Sequence, residues 1–168
     1  PQVPRADVRA ALAKCVEGNW LLGLMVLLTI TGRGPKVGTE LWARAVSADA
    51  ISVVSLLILL RVQFRPFLHD REFVFHRLRS DEMLSLLLQV EAIPKDQIDA
   101  QDVDGFTPLH RAAERGVADL TLMLLRQGCD GRRPTLILMT SAEMLAARKN
   151  HAHVVDTIRG FAPTSTAA

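Results

Sequence analysis

Tyrosine is absent from this 168-residue chain, and aromatic residues of any kind make up only 5% of it. The two cysteines, Cys15 and Cys129, are too few for the disulfide framework of a small secreted domain. A reducing compartment is therefore expected, either the cytoplasm or the interior of an organelle after loss of a targeting segment. Charge of one sign is also missing. Twenty Lys and Arg face 18 Asp and Glu, a net charge of +2, which argues against a dedicated nucleic-acid binder. The longest stretches without a charged residue, 18–32 and 50–60, fall short of the about 20 apolar residues that a membrane-spanning helix needs. The first follows Arg5, Arg9 and Lys14 as a signal-peptide core would, but Asp7 and Glu17 interrupt the basic region, and Thr31-Gly32-Arg33-Gly34 is a poor cleavage site. Buried helices account for both stretches better, which leaves membrane contact open only by a route other than a spanning helix. The chain opens on Pro1 rather than Met, as a processed protein or a fragment would.

What the chain does have is apolar residues, 49% of the total, with a mean hydropathy of +0.18. That is enough to build a core and excludes global disorder. Abundant Leu with few aromatics leans towards helix.

One block is dense in positional signals: Asp102-Val-Asp-Gly-Phe-Thr-Pro-Leu-His-Arg-Ala-Ala-Glu-Arg-Gly116, followed by a Leu-rich run to Asp130. Gly105 suits a turn at positive φ. Thr107 is placed to cap a helix, with Pro108 at its first position, where a missing N–H costs nothing. Leu109, Ala112 and Ala113 form an apolar stripe whose two small members let a neighbouring helix approach. Gly116 ends this first helix. A second helix turns Leu120, Leu122, Leu124 and Leu125 inward, with Gly128 at its C-terminus. His110 is placed to hydrogen-bond around Thr107, a structural duty.

This block closely resembles the ankyrin repeat, whose pattern runs D-x-x-G-x-T-P-L-H-x-A-A-x-x-G, then a Leu-rich helix, then G-A-D. The resemblance implies an all-α, ankyrin-type helix-turn-helix solenoid, so further units are sought at multiples of 34 residues. A shift of 68 lays Thr39-Glu40-Leu41-Trp42 on Thr107-Pro108-Leu109-His110, Ala45 on Ala113, and Leu56-Leu57 on Leu124-Leu125. A shift of 34 back finds Phe73-Val74-Phe75-His76 and a short Leu-rich helix over Met83–Leu88. A shift of 34 forward finds Ala146-Ala147, Asn150-His151, and Val154, Val155 and Ile158. Ala11–Gly18 and Trp20–Leu28 form a looser first pair. The expected domain is 1–161, with units at about 5–34, 37–66, 70–100, 102–131 and 138–161 and a frayed tail at 162–168. Arg61–Glu72, Glu91–Val103 and Gly131–Leu138 read as loops.

Sequence chemistry points away from catalysis. Gly32–Thr39 is glycine-rich, but a phosphate loop needs Gly-Lys-Ser/Thr at its end, after a strand, and Lys36 precedes the last glycine. Nucleotide binding lost on Lys36→Ala would be the sign of that alternative. The five histidines, His69, His76, His110, His151 and His153, lack partners at metal-ligand spacing, so neither metal nor cofactor is expected. Cys15 and Cys129 fall at small-residue positions of the pattern and read as buried apolar side chains.

Arg61–Arg79 is the least family-like stretch, with five Arg and four of the six Phe. Arg61, Phe64, Arg65 and Phe67 form a candidate partner-binding patch, because Arg and aromatics anchor interfaces; Phe73 and Phe75 point inward on the template. The resemblance implies a non-catalytic protein-protein interaction module or scaffold. Its contacts would be Val103, Asp104, Phe106, Glu114 and Arg115, with Val46 and Ser47, Ser80 and Asp81, and Arg148 and Lys149 as equivalents. A structural subunit of a larger protein complex is the leading expectation. The alternatives are a membrane-associated accessory subunit and a regulatory fragment of a larger enzyme or channel.

Overall fold

The computed structural model describes residues 10–11, 14–18, 20–31, 35–62, 74–89 and 95–161. Among them every regular element is helical and none is a strand. Helix α1 spans Leu21–Thr31, α2 Pro35–Ser47, α3 Ile51–Leu59 and α4 Asp81–Leu88. Helix α5 spans Pro108–Arg115, α6 Ala118–Arg126, α7 Ala142–Arg148 and α8 Ala152–Gly160. Two 3-10 turns occupy Val74–Arg77 and Lys95–Asp99, and 10–11 and 14–17 are also helical.

These elements stack in two layers. Helix α2, the Val74–Arg77 turn, α5 and α7 succeed one another in the inner layer, while α3, α4, α6 and α8 do so in the outer layer, with α1 against α3. No single pair could bury its apolar face, so one core runs through the stack. It links Cys15 and Leu24 through Trp42, Val53, Leu57, Phe75, Leu84 and Leu87 to Leu109, Leu120, Leu124, Ala146 and Val154. Small residues lie where inner helices meet: Ala45, Ala112, Ala113, Ala142 and Ala146 are all buried. Ala147, expected to pair with Ala146 as Ala113 does with Ala112, is exposed. Its helix is the last inner element among the described residues.

Backbone conformation marks the units more sharply than side-chain identity does. Every residue at positive φ among those described has a partner at a repeat spacing. Asp49, Gly116 and Asn150 turn an inner helix into its outer partner, Arg61 and Gly128 follow outer helices, and Gly105 and Met139 lie in the turns before α5 and α7. Asp49 and Arg61 precede their partners by 67 residues, while Asn150 and Met139 follow theirs by 34. The second unit is therefore one residue out of the expected 68-residue register. Trp42 falls on Leu109 rather than His110, and Val46 falls on Ala113. This corrects the expectation that Val46 is a contact residue: its side chain is wholly buried.

The third unit departs further. Its inner element is the four-residue Val74–Arg77 turn, and α4 begins three residues earlier than the template places an outer helix. Ser80, expected on the concave face, instead caps α4: its Oγ accepts from the Met83 N–H at 3.2 Å and donates to Asp49 Oδ1 at 2.6 Å. Phe75 is buried, as expected; Phe73 lies outside the described residues. In the outer layer Thr121 is buried and Leu122 only partly so, because the inward stripe of α6 runs through 120, 121, 124 and 125. Thr121 Oγ1 is satisfied by donating to the Val117 carbonyl at 2.7 Å. Gly32–Gly34 lies outside the described residues, and 35–39 already belongs to α2.

Candidate functional site

Asp102 organises the turn that precedes α5. Its Oδ1 accepts from the backbone N–H of Asp104 at 3.1 Å and of Phe106 at 2.8 Å, and its own N–H donates to the Phe106 carbonyl at 2.9 Å. Gly105 turns at φ 79°, and a Cβ there would stand 2.2 Å from the Leu136 amide nitrogen of the next turn. Glycine is thus required twice over, by conformation and by the close approach of successive turns. Gln101 ties those turns together, its Nε2 donating to the Gly105 carbonyl at 2.9 Å and the Pro134 carbonyl at 3.2 Å.

The Arg111 guanidinium donates to the buried Asp102 Oδ2 at 2.9 Å, lies 4.1 Å from the Phe106 ring centroid and reaches Glu114 at 3.4 Å. The ring thus has a cation over its face. At the start of α5, Thr107 Oγ1 accepts from the His110 N–H at 3.4 Å, and His110 Nδ1 accepts from the Thr107 N–H at 3.1 Å. A capping box usually has Glu or Gln at this third position; here the imidazole fills the role. With Nδ1 accepting, the neutral ring carries its proton on Nε2. Burial pulls the His110 pKa below its ordinary value, against the opposing pull of the Arg133 and Thr140 carbonyls and of Asp102.

Cross-layer hydrogen bonds fasten this unit on both sides. Towards the preceding layer, His76 Nε2 donates to the Phe106 carbonyl at 2.8 Å, and Arg115 donates to the carbonyls of Leu78 at 2.5 Å and His76 at 3.2 Å. Towards the next layer, His151 and His153 donate from Nε2 to the carbonyls of Glu114 at 3.1 Å and Gly116 at 2.8 Å. The first is an end carbonyl of α5, which the helix itself leaves without a partner, and the second belongs to the left-handed residue that follows it. Below the turns, Arg133 Nη1 donates to both the carbonyl and Oδ2 of Asp99, at 2.9 and 2.8 Å. Burial raises the Asp99 pKa, with Arg133 opposing. Cys129 is buried, and burial reinforced by nearby Asp99 pushes its thiol up to about 12. No group of His, Cys, Asp and Glu among the described residues is placed to hold a metal ion.

The structure brings Val103, Asp104, Glu114 and Arg115 to one unit: Val103 is 56% exposed, and Asp104 and Glu114 are half-buried. Phe106 is the exception, at 9% exposure, because its ring is covered by Arg111 and lies edge-on to His110 at 5.9 Å. Arg61 is exposed just past α3 at φ 51°, whereas Phe64, Arg65 and Phe67 lie outside the described residues. Sequence reasoning missed Arg111, the Asp99–Arg133 pair and His153. Only the pair carried a signal, its 34-residue spacing. It also passed over Leu136, Ile137, Leu138 and Met139, read partly as an ordinary loop, all four of which are exposed in the turn before α7.

With this geometry in place, the comparison with known families is direct: residues 104–134 match the family model of the ankyrin repeat. That segment is an ankyrin repeat, a unit of all-helical modules that bind other proteins and are generally non-catalytic. No curated protein matches the chain. No helix among the described residues is long and apolar enough to cross a membrane.

Proposed function

We propose that the chain is a non-catalytic interaction module, a single solenoid of five stacked units over 1–161, acting as a structural subunit of a larger assembly. The observation that carries this reading is a set of accessible positions on the inner layer, in the turn that leads into one inner helix and at the far end of the next. Val103 and Asp104 project from the turn before α5, and Arg148 and Lys149 are exposed at the end of α7. Arg115 contributes by holding the end of α5 to the preceding layer, and Arg61, Phe64, Arg65 and Phe67 supply a second contact region. Exposed Trp20, Leu22, Val26 and Leu59 fit a subunit that is normally covered. A native pull-down with cross-linking tests the reading. Cross-links should map to Val103–Asp104 and to Arg61–Arg79, and Val103→Glu with Asp104→Lys should weaken capture at least 10-fold. Cross-links confined to neither region would overturn the site. A purified chain that stays monomeric and binds no apolar dye would overturn the subunit role.

A further inference from the structure

The turn before α7 presents four large apolar side chains in succession, Leu136, Ile137, Leu138 and Met139, each at least half exposed. Soluble surfaces scatter such residues singly rather than in a run. Val103 is the exposed tip residue of the preceding turn, and the contact of Gly105 with Leu136 stacks the two turns, so the apolar run has a neighbour of the same character. From this we propose that the 136–139 turn inserts into the surface of a lipid bilayer, a property separate from the protein-binding reading above.

Three observations favour lipid over a protein pocket. First, the tip carries no polar side chain. Thr135 is buried, with Oγ1 accepting from the Thr140 N–H at 3.2 Å, and Thr140 Oγ1 donates to the Leu138 carbonyl at 2.9 Å. Protein interfaces add about one hydrogen bond per 100–200 Å2, and this tip has no side chain to supply one. The Thr140 bond also satisfies a carbonyl that would otherwise meet the acyl boundary bare. Second, the turn is closed at its base by the Thr135 N–H to Thr140 carbonyl bond at 3.1 Å, which presents its side chains outward on a convex tip. Apolar groups of that shape suit a deformable apolar phase. Third, Arg132 is exposed shortly before the turn, a cation for a headgroup phosphate. Arg133 is held by Asp99, and Asp102 is paired with Arg111. Asp130, whose Oδ1 accepts from the neutral Arg132 N–H at 2.9 Å, and Asp104 on the neighbouring turn are the carboxylates that oppose binding to anionic lipid.

The test is co-sedimentation of the whole chain with vesicles of phosphatidylcholine, with and without 30% phosphatidylserine. The chain should pellet with both, without a marked preference for phosphatidylserine, because Asp104 and Asp130 offset Arg132. I137S/L138S should lower the bound fraction at least 10-fold with an unchanged helical circular dichroism spectrum. If that variant does not fold, Met139→Ser alone should give a smaller loss in the same direction. Failure of the wild-type chain to pellet at millimolar lipid would overturn the proposal. So would equal pelleting of the variants, which would move lipid contact elsewhere, to Trp20–Val26 for example. Loss of a captured protein on I137S/L138S without any vesicle binding would make the turn a protein contact and overturn it equally.

Discussion

His151 donates from Nε2 to the Glu114 carbonyl at 3.1 Å, and its ring occupies the space that a side chain on Gly116 would need, with Nδ1 2.7 Å from such a Cβ. The left-handed turn of one unit is thus also the socket for the histidine of the next. Gly116→Ala meets both the φ of 78° and the ring. It should cost at least about 1–2 kcal/mol, and more if His151 is displaced. Asn150→Gly, at the equivalent turn with φ 61°, should stabilise by about 0.5–1 kcal/mol. Urea denaturation of the two variants beside the wild type reads both signs, and a neutral Gly116→Ala would refute the socket.

The Asp102–Arg111 pair joins a buried carboxylate to a half-buried guanidinium. Asp102→Ala removes the acceptor of two backbone N–H groups as well as the ion partner, and should cost about 2–3 kcal/mol. Arg111→Ala should cost less. A double-mutant cycle should give a coupling of about 1–2 kcal/mol. Purely additive losses would show that the pair is incidental. Arg111→Lys should not restore the wild type, because a lysine cannot both fork to Asp102 and cover the Phe106 ring.

His110 makes stability pH-dependent with a definite sign. Its folded pKa lies below the ordinary 6.5, so the unfolded chain takes up a proton before the folded chain does. The stabilisation is complete above about pH 6.5 and is lost progressively as pH falls from there through the lower folded pKa. The urea midpoint should drop from pH 7 to pH 5. His110→Asn, less stable at every pH, should show a shallower slope over that interval. An equal slope would assign the dependence to other groups.

Cys129, with its pKa pushed up to about 12 and its side chain buried against the Ile98 carbonyl, remains a thiol at pH 8. A thiol-specific reagent followed by mass spectrometry should label it at least 100-fold more slowly in the native chain than in urea. Rapid native labelling would contradict the packing under α6.

The repeat at 102–130 was legible because its signals are local. Thr107, Pro108, Gly105 and Gly116 each answer a demand of the backbone within a few residues, and such demands leave a mark on residue type. The register of the second unit was not legible. Asp49 performs the left-handed turn that Gly116 performs in the clear repeat, and an aspartate in sequence does not announce positive φ. A search for glycine-like turns therefore slid by one residue and placed Val46 on the surface. The third unit hid for another reason: Val74–His76 falls where the match put its inner element, but three residues are missing after it, and a fixed period cannot detect a shortening. Arg111 escaped because the pattern leaves its position open, although here it holds Asp102, Phe106 and Glu114 together.

Among the described residues the stack is at its thinnest where the third unit has one tight turn, Val74–Arg77, as its inner element. In an array whose rungs grip only their neighbours, a thin rung sets where the ladder parts. Pulled or warmed, the molecule should unzip first around Val74–Ser80. The block from Asp102 to Gly160, stitched rung to rung by imidazoles, should be the last to open.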